Sequence, residues 1–292
     1  MPRRILIVGG DTEIATAAAA HLRASGYVVA ATTRRPERVA VDRPFLDLSR
    51  PVEDWPIPDG ISAVCFCAAI ARLNDCANNP EGSALINVTR TIGLADKLLA
   101  RLIPVLFLST DKVFDGTRAQ VPAATPPCPV SEYGRQKAAA EAALGERMRA
   151  GAPVTVLRLA KIVSPGMELL RQWIVSLANG RSIRAFDDMM MAPTPVAVAA
   201  AAIDRLLAEP NPGIFQLSGP RDVAYSDVAL RLAHSLGADP ALVDPVSAYS
   251  AGLPPGSTAQ HTTLDSSALR ERFGIAVPDA WAVIDELLET CR

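Results

Sequence analysis

Short apolar runs alternate with longer amphipathic stretches through the first half of the chain. Ile5–Val8 is a β-rich run that ends in Gly9-Gly10. The Ala-rich stretch from Glu13 to Ser25 reads as a helix stopped by Gly26, and Tyr27–Thr32 is strand-like again. Strand, tight turn, helix and strand within about thirty residues make a βαβ unit. The alternation continues with a strand at Ala63–Ala68, a long helix at Gly82–Leu102 ended by Pro104, and a strand at Val105–Leu108. A helix at Pro129–Arg149 and a strand at Val154–Leu159 follow. Near-continuous apolar strands between helices predict an α/β fold: a Rossmann-type, doubly wound parallel sheet covered on both faces.

After residue 160 the pattern loosens. Helices are expected at Leu169–Asn179, Val196–Ala208, Ser226–Leu236 and Asp279–Leu288, while Gly213–Leu217 has the character of a strand returning to the sheet. Ala238–Gly256 is rich in Pro and small residues. The chain therefore divides into a Rossmann domain at 1–160 and a smaller, mainly substrate-binding lobe at 161–292, some of whose segments return to the first domain. Open α/β sheets bind ligands at the C-terminal edge of the strands, which is where the lobe should sit.

The turn after the first strand reads Gly9-Gly10-Asp11-Thr12-Glu13-Ile14-Ala15. A dinucleotide turn needs small residues three apart, so that backbone approaches the pyrophosphate and the helix packs on the strand. Here they are Gly9, Thr12 and Ala15, and Asp11 and Glu13 bring negative charge where phosphate would sit. At the end of the second strand an acidic residue would hold the ribose 2′-hydroxyl of NAD. This chain has Arg34-Arg35 instead, which suits a 2′-phosphate by charge and by fork geometry. NADP(H) is thus favoured over NAD(H), with Asp47-Leu48 lying along the adenine.

Tyr133 and Lys137 stand at i and i+4 and share one face of their helix. A free Tyr is a poor acid at neutral pH, and a nearby ammonium is expected to lower its pKa, so that it exchanges a proton with an alcohol or carbonyl. The fourth strand runs into Ser109-Thr110-Asp111, and Thr110 is placed to bond the same oxygen.

The net charge of −2 gives no basic field for nucleic acid or anionic membrane. No run of eighteen apolar residues occurs, so no membrane span is expected. Arg3-Arg4 precede an apolar stretch too short for a secretory signal, which predicts a cytoplasmic protein. The cysteines (65, 67, 76, 128 and 291) lack paired metal-ligand spacing, and the histidines are scattered, so no metal site is expected. Cys65 and Cys67 should share one face of a buried strand, and the odd count suits a reducing compartment. Four Lys stand against 25 Arg, which reads as a bias of composition.

Leu108 to Gly116, Ser131 to Lys137, and the Cys67-Ala68-Ala69 strand end together resemble the extended short-chain dehydrogenase/reductases. Within them the chain is similar to the dTDP-4-dehydrorhamnose reductase-like group. Looser likeness extends over Asp188 to Thr194, Leu264 to Ser267 and Pro278-Asp279, so that the resemblance runs from Ile5 to about Trp281. It implies an NAD(P)-dependent enzyme acting on a nucleotide-linked sugar, and a homodimer. It implies Thr110, Tyr133 and Lys137 as catalytic residues, Lys137 also holding the nicotinamide ribose. Cys67, Ala68, Ala69, Asn87, Ser109 and Leu159 would line the dinucleotide together with the turn, with Leu159 to Val163 at its nicotinamide end. Arg72, Lys112, Val113, Phe114, Arg171, Trp173, Met189 and Thr194 would face the substrate. The group's Asp-Gln-x-Gly segment reads Asp188-Met189-Met190-Met191 here. Three activities fit these features: a keto-sugar nucleotide reductase using NADPH, an epimerase or dehydratase with a retained cofactor, and a non-catalytic subunit on the same fold.

Overall fold

A computed structural model describes residues 2–209, 211–253 and 258–290. Cys291 and part of the Pro-rich segment (Pro254 to Gly256) lie outside the described residues. The first half runs β1 (Arg4–Val8), α1 (Glu13–Ala24), β2 (Val28–Ala31), β3 (Ile61–Phe66), α2 (Leu73–Asn78), α3 (Pro80–Ala84), α4 (Thr91–Leu99), β4 (Val105–Thr110), α5 (Glu132–Arg149) and β5 (Val154–Leu159). The second half runs β6 (Ile162–Val163), α6 (Glu168–Ala178), β7 (Ile183–Phe186), β8 (Met190–Met191), β9 (Thr194–Pro195), α7 (Val196–Ala208) and β10 (Gly213–Leu217). It ends with β11 (Val223–Ala224), α8 (Tyr225–Leu236), β12 (Val243–Val246), α9 (Ser267–Phe273) and α10 (Ala280–Thr290).

Six parallel strands form the main sheet in the order β10-β5-β4-β3-β1-β2. Strand period sorts their side chains: Ile5 and Ile7 face one core with α1 and α7, while Leu6 and Val8 face another with α4 and α5. Both sets are buried, which is why the strands carry no polar alternation. A third core fills the lobe between α6, α8 and α10. Chain order reverses between β1 and β3, and the crevice outside that switch point is where such sheets take ligands.

Helix bounds differ from the sequence pattern where backbone chemistry intervenes. The long helix expected over 82–102 begins at Pro80 and is broken by a π-helical turn at Leu85–Arg90. It ends at Leu99, because Leu102 takes a positive φ of 57° before Pro104. The helix expected from Pro129 begins at Glu132, where the Ser131 hydroxyl caps it by accepting from the Gly134 N–H.

At the centre of the fold Arg158 of β5 lies wholly buried. Its guanidinium donates to Glu141 of α5 at 2.6 and 3.1 Å, to the Ala123 carbonyl at 3.0 Å and to Gln216 of β10 at 3.2 Å. It also lies over the Phe114 ring, 5.0 Å from the centroid. Removing one member of such a pair strands a charge in the interior, at a cost of about 3–5 kcal/mol. Glu141→Leu is therefore expected to lower unfolding stability by about that amount in urea titrations, and a loss below about 1 kcal/mol would contradict this assignment.

Candidate active site

Gly9 sits at the end of β1 with φ of +88°, and a Cβ there would come within 2.6 Å of the Ala68 backbone at the end of β3. Only glycine lets the two strand ends approach so closely. Thr12, at the second small position, is the N-cap of α1: its hydroxyl accepts from Ala15 N–H at 3.3 Å and donates to the Gly9 carbonyl at 3.1 Å. Ala15 is fully buried against the sheet, where a larger side chain would push α1 away. The altered residues thus keep the turn's geometry.

Beside this turn opens a cleft of about 980 Å³. Gly9, Asp11, Thr12, Arg34, Arg35, Asp47, Leu48, Ala68 and Ala69, all expected around the dinucleotide, line it, and so does Arg72. Arg72 was assigned to the substrate but stands on this side of the switch point. The charge on Asp11 is spent inside the protein: its carboxylate accepts from Thr33 and from Arg43, both at 2.7 Å. Burial pushes the Asp11 carboxyl up, but Thr33, Arg43, Arg35 and Arg38 together outweigh it and hold it below the ordinary range. Glu13 turns away from the cleft and accepts from the Ser164 hydroxyl in the segment after β5. Ile14 packs half-buried against the core.

The second half of the site gathers around the end of β4. The Thr110 hydroxyl donates to Asp111 at 2.9 Å and accepts from Lys112 N–H at 3.2 Å. Helix α5 is pressed onto this corner at Gly134, where a Cβ would meet the Lys112 carbonyl at 2.1 Å. Glycine at that point is what brings Tyr133 against the strand end. The Lys137 ammonium lies 3.7 Å over the Phe107 ring and donates to the Leu108 carbonyl at 2.6 Å. Burial pushes Lys137 down to about 7, against the opposing field of Glu141. Ser109, on the same strand end, has a buried hydroxyl with no partner among the described residues.

One electrostatic expectation reverses. Tyr133 is not lowered: burial first, then the Asp111 carboxylate, hold its phenol well above the ordinary tyrosine value. The ammonium of Lys137 is turned toward the Leu108 carbonyl instead of the phenol.

Several side chains assigned from sequence do other work. Asn87 is buried, accepting from Ile70 N–H at 2.8 Å and donating to the Ile70 carbonyl and to Gln136. It pins the loop that lines the cleft, and both of its amide hydrogens are spent within the protein. Val113 and Phe114 are core residues packed with Val121 and Leu264. Trp173 is buried in the lobe core, and Arg171 lies on the exposed face of the same helix. Thr194 is fully buried, its N–H donating to the Lys161 carbonyl at 2.9 Å. Met189 is half-buried and its carbonyl receives the Tyr225 N–H, while Met191 fills the lobe core. Asp188 holds Ser247 and Ala248 within the lobe. Leu159 is a buried residue paired with Thr110 across the two strands. Cys65 and Cys67 share a face, with sulfurs 3.6 Å apart.

Asp111 and Tyr225 were given no role from the sequence, and Lys161 stood only as part of the Leu159 to Val163 stretch. Asp111 binds Thr110, and its charge reaches Tyr133, Tyr225 and Lys161. The Tyr225 phenol, at the start of α8, is pushed up to about 12 by burial and then by Asp111. The scarcity of lysine was the signal available for Lys161. Among the described residues no cluster has the makings of a metal site, and no helix is long and apolar enough to cross a membrane.

Comparison with known proteins agrees with this geometry. The chain is 29% identical over 226 residues to a probable low-salt glycan biosynthesis reductase of Haloferax volcanii, covering 75% of this chain and 74% of the relative. It is 26% identical over 287 residues to a dTDP-4-keto-6-deoxy-D-glucose reductase of Streptomyces niveus, covering 96% and 91%. Its fold matches the crystal structure of a Bacillus anthracis dTDP-4-dehydrorhamnose reductase in complex with NADP, with a TM-score of 0.79 at 18% identity over 99% of this chain and 97% of that one. Residues 3–292 match the family described as the RmlD substrate binding domain. With a parallel Rossmann sheet, its small-residue turn and a Thr-Tyr-Lys corner on one side and that match on the other, the chain belongs to the RmlD substrate-binding domain family, among the extended short-chain dehydrogenase/reductases, a class of NAD(P)-dependent oxidoreductases.

Proposed function

We propose that this chain is an NADPH-dependent reductase of a keto-sugar nucleotide, with Tyr133 as general acid. One observation carries the reading: Thr110, Tyr133 and Lys137 converge on the end of β4, on the same C-terminal edge of the sheet as the cleft at the ends of β1 and β3, whose lining includes none of the three. The named reductases among its relatives support the substrate class.

The residues fit a dinucleotide. A Cβ at Gly9 would fill the cradle, the cleft has the volume of a cofactor site, and Arg34 and Arg35 line it beyond β2. When bound, the dinucleotide supplies the hydride that reaches the carbonyl carbon. Tyr133 is kept protonated by its surroundings, so it meets the substrate as a neutral acid and gives its proton to the oxygen as charge builds there. Thr110 orients the same oxygen once its hydroxyl hydrogen turns from Asp111. Lys137 spends one of its three donors on Leu108, which leaves two for the ribose hydroxyls. Its charge also steadies the tyrosinate left after proton transfer.

Tyr133→Phe is expected to lower turnover about 10²- to 10⁴-fold while the NADPH dissociation constant stays within twofold. Full activity in that variant would sink the assignment. Arg34→Ala and Arg35→Ala should weaken NADPH by about 10- to 100-fold in total and leave NADH nearly unchanged, as read by calorimetry. Equal effects on both cofactors would argue against a 2′-phosphate site. Lys137 is charged below about pH 7 and neutral above it. Dinucleotide affinity should therefore fall as pH rises through that value, by at most roughly tenfold per unit. Lys137→Met should bind weakly at low pH and show no such limb, and a limb that persists in the variant would assign the titration to another group.

A further inference from the structure

Two of the four lysines in this arginine-rich chain, Lys112 and Lys161, lie within each other's field just beyond the ends of β4 and β5. Lysine and arginine are not interchangeable, because a compact ammonium reaches places a guanidinium fork does not. Where so few lysines are present, each one marks a position. Lys97 donates to the backbone carbonyls of Glu53 and Trp55, and Lys137 to that of Leu108. Lys112 and Lys161 remain, and neither ammonium donates a hydrogen bond within the described residues.

Sheet register sets where these two stand. Thr110 pairs with Leu159 across β4 and β5, and each lysine lies two residues beyond one member of that pair. Both backbones are fixed, Lys112 by Gly134 and Lys161 by the N–H of Thr194. Lys112 is 3.7 Å from Asp111, a carboxylate already bonded to Thr110. Lys161 has an exposed side chain and no ion pair within the described residues, yet the surrounding protein is dense enough that burial is the largest influence on its ammonium and pushes it down. Its neighbours in charge are Glu13, which accepts from Ser164, then Asp111, and then Lys112 itself. The phenols of Tyr133 and Tyr225 face the same Asp111 and are uncharged at neutral pH. Asp111 already accepts from Thr110 and Glu13 from Ser164, so the charges of the cluster balance while both ammonium groups keep donors free for an incoming anion.

We propose that Lys112 and Lys161 bind a carboxylate carried on the sugar ring, so that the substrate is an acidic, uronate-type keto-sugar nucleotide. This rests on the sugar-nucleotide reading given above. Position favours the ring over the diphosphate, because the lysines flank Thr110, the residue assigned to the reacting carbonyl.

The test is calorimetric titration of the full chain, saturated with NADP⁺, by glucuronate and by glucose, each as its uridine and its thymidine diphosphate. The glucuronate form is expected to bind at least tenfold more tightly, as a charge-assisted contact of about 1.5–3 kcal/mol requires. Lys112→Gln and Lys161→Gln should each remove most of that preference, weakening the glucuronate form by a larger factor than the glucose form, while Lys161→Arg keeps it. Thermal melting confirms that the variants are folded. Equal weakening of both ligands would mean that the lysines read the shared diphosphate, which overturns the proposal. No preference in the unmodified protein overturns it as well. Binding of neither sugar nucleotide while NADP⁺ still saturates would remove the sugar-nucleotide reading itself, and the carboxylate with it.

Discussion

The ion pair between Arg158 and Glu141 holds the two halves of the catalytic corner in one frame. Tyr133, Lys137 and Glu141 follow one another at intervals of four along α5, so they form a single stripe facing the sheet. Glu141 fixes the inner end of that stripe to β5, and Gly134 fixes the outer end to the turn after β4. Between these two anchors the helix cannot rotate or slide without breaking one of them. The tyrosine and lysine are therefore positioned by neighbours that never meet a ligand. Gln216 and the Ala123 carbonyl complete the shell around Arg158, which is why a full charge is tolerated so deep in the fold.

Much of this was legible in the sequence, and the limits have physical causes. The strands β1, β4 and β5 were readable because each is a short apolar run closed by a turn, and the Tyr133/Lys137 pair because helical period is a local property. The break at Leu85–Arg90 was not readable, since a π turn changes hydrogen bonding without changing hydrophobic pattern. Side-chain roles failed where long-range packing decides them. Phe114 and Val113 follow the catalytic threonine so closely that proximity in sequence implied proximity to a ligand, yet the chain turns them inward onto Leu264. Asn87, expected at the cofactor, bonds within the protein to Ile70, 17 residues away, and to Gln136, pairings that no local pattern shows.

Electrostatics at the cofactor turn follow one rule: a carboxylate that would oppose a ligand is engaged within the protein, Asp11 by arginines and Thr33, Glu13 by a hydroxyl. Asp11 stands where a phosphate would be repelled, and three arginines and Thr33 surround it. Glu13 occupies the first turn of α1, and Ser164 holds it. Each carboxylate consequently acts as a strut, Asp11 bracing the loop after β2 and Glu13 joining the cofactor turn to the segment after β5.

That segment enters the lobe through β6, and the chain returns through β9, the two pairing over only Ile162–Thr194 and Val163–Pro195. Immediately afterwards α7 packs on the Rossmann side, and β10 rejoins the sheet beside β5. The residues between the paired strands complete the lobe only with segments that follow β10: β8 pairs with β11, β7 pairs with β12, and α6 shares one core with α8 and α10. A recombination event that exchanged residues 164–193 alone would leave that core with mismatched halves, whereas one that cut at residue 160 would carry off the sheet's own edge strand. Substrate range in such a chain changes by coordinated substitution across the lobe core, and not by exchange of one contiguous segment.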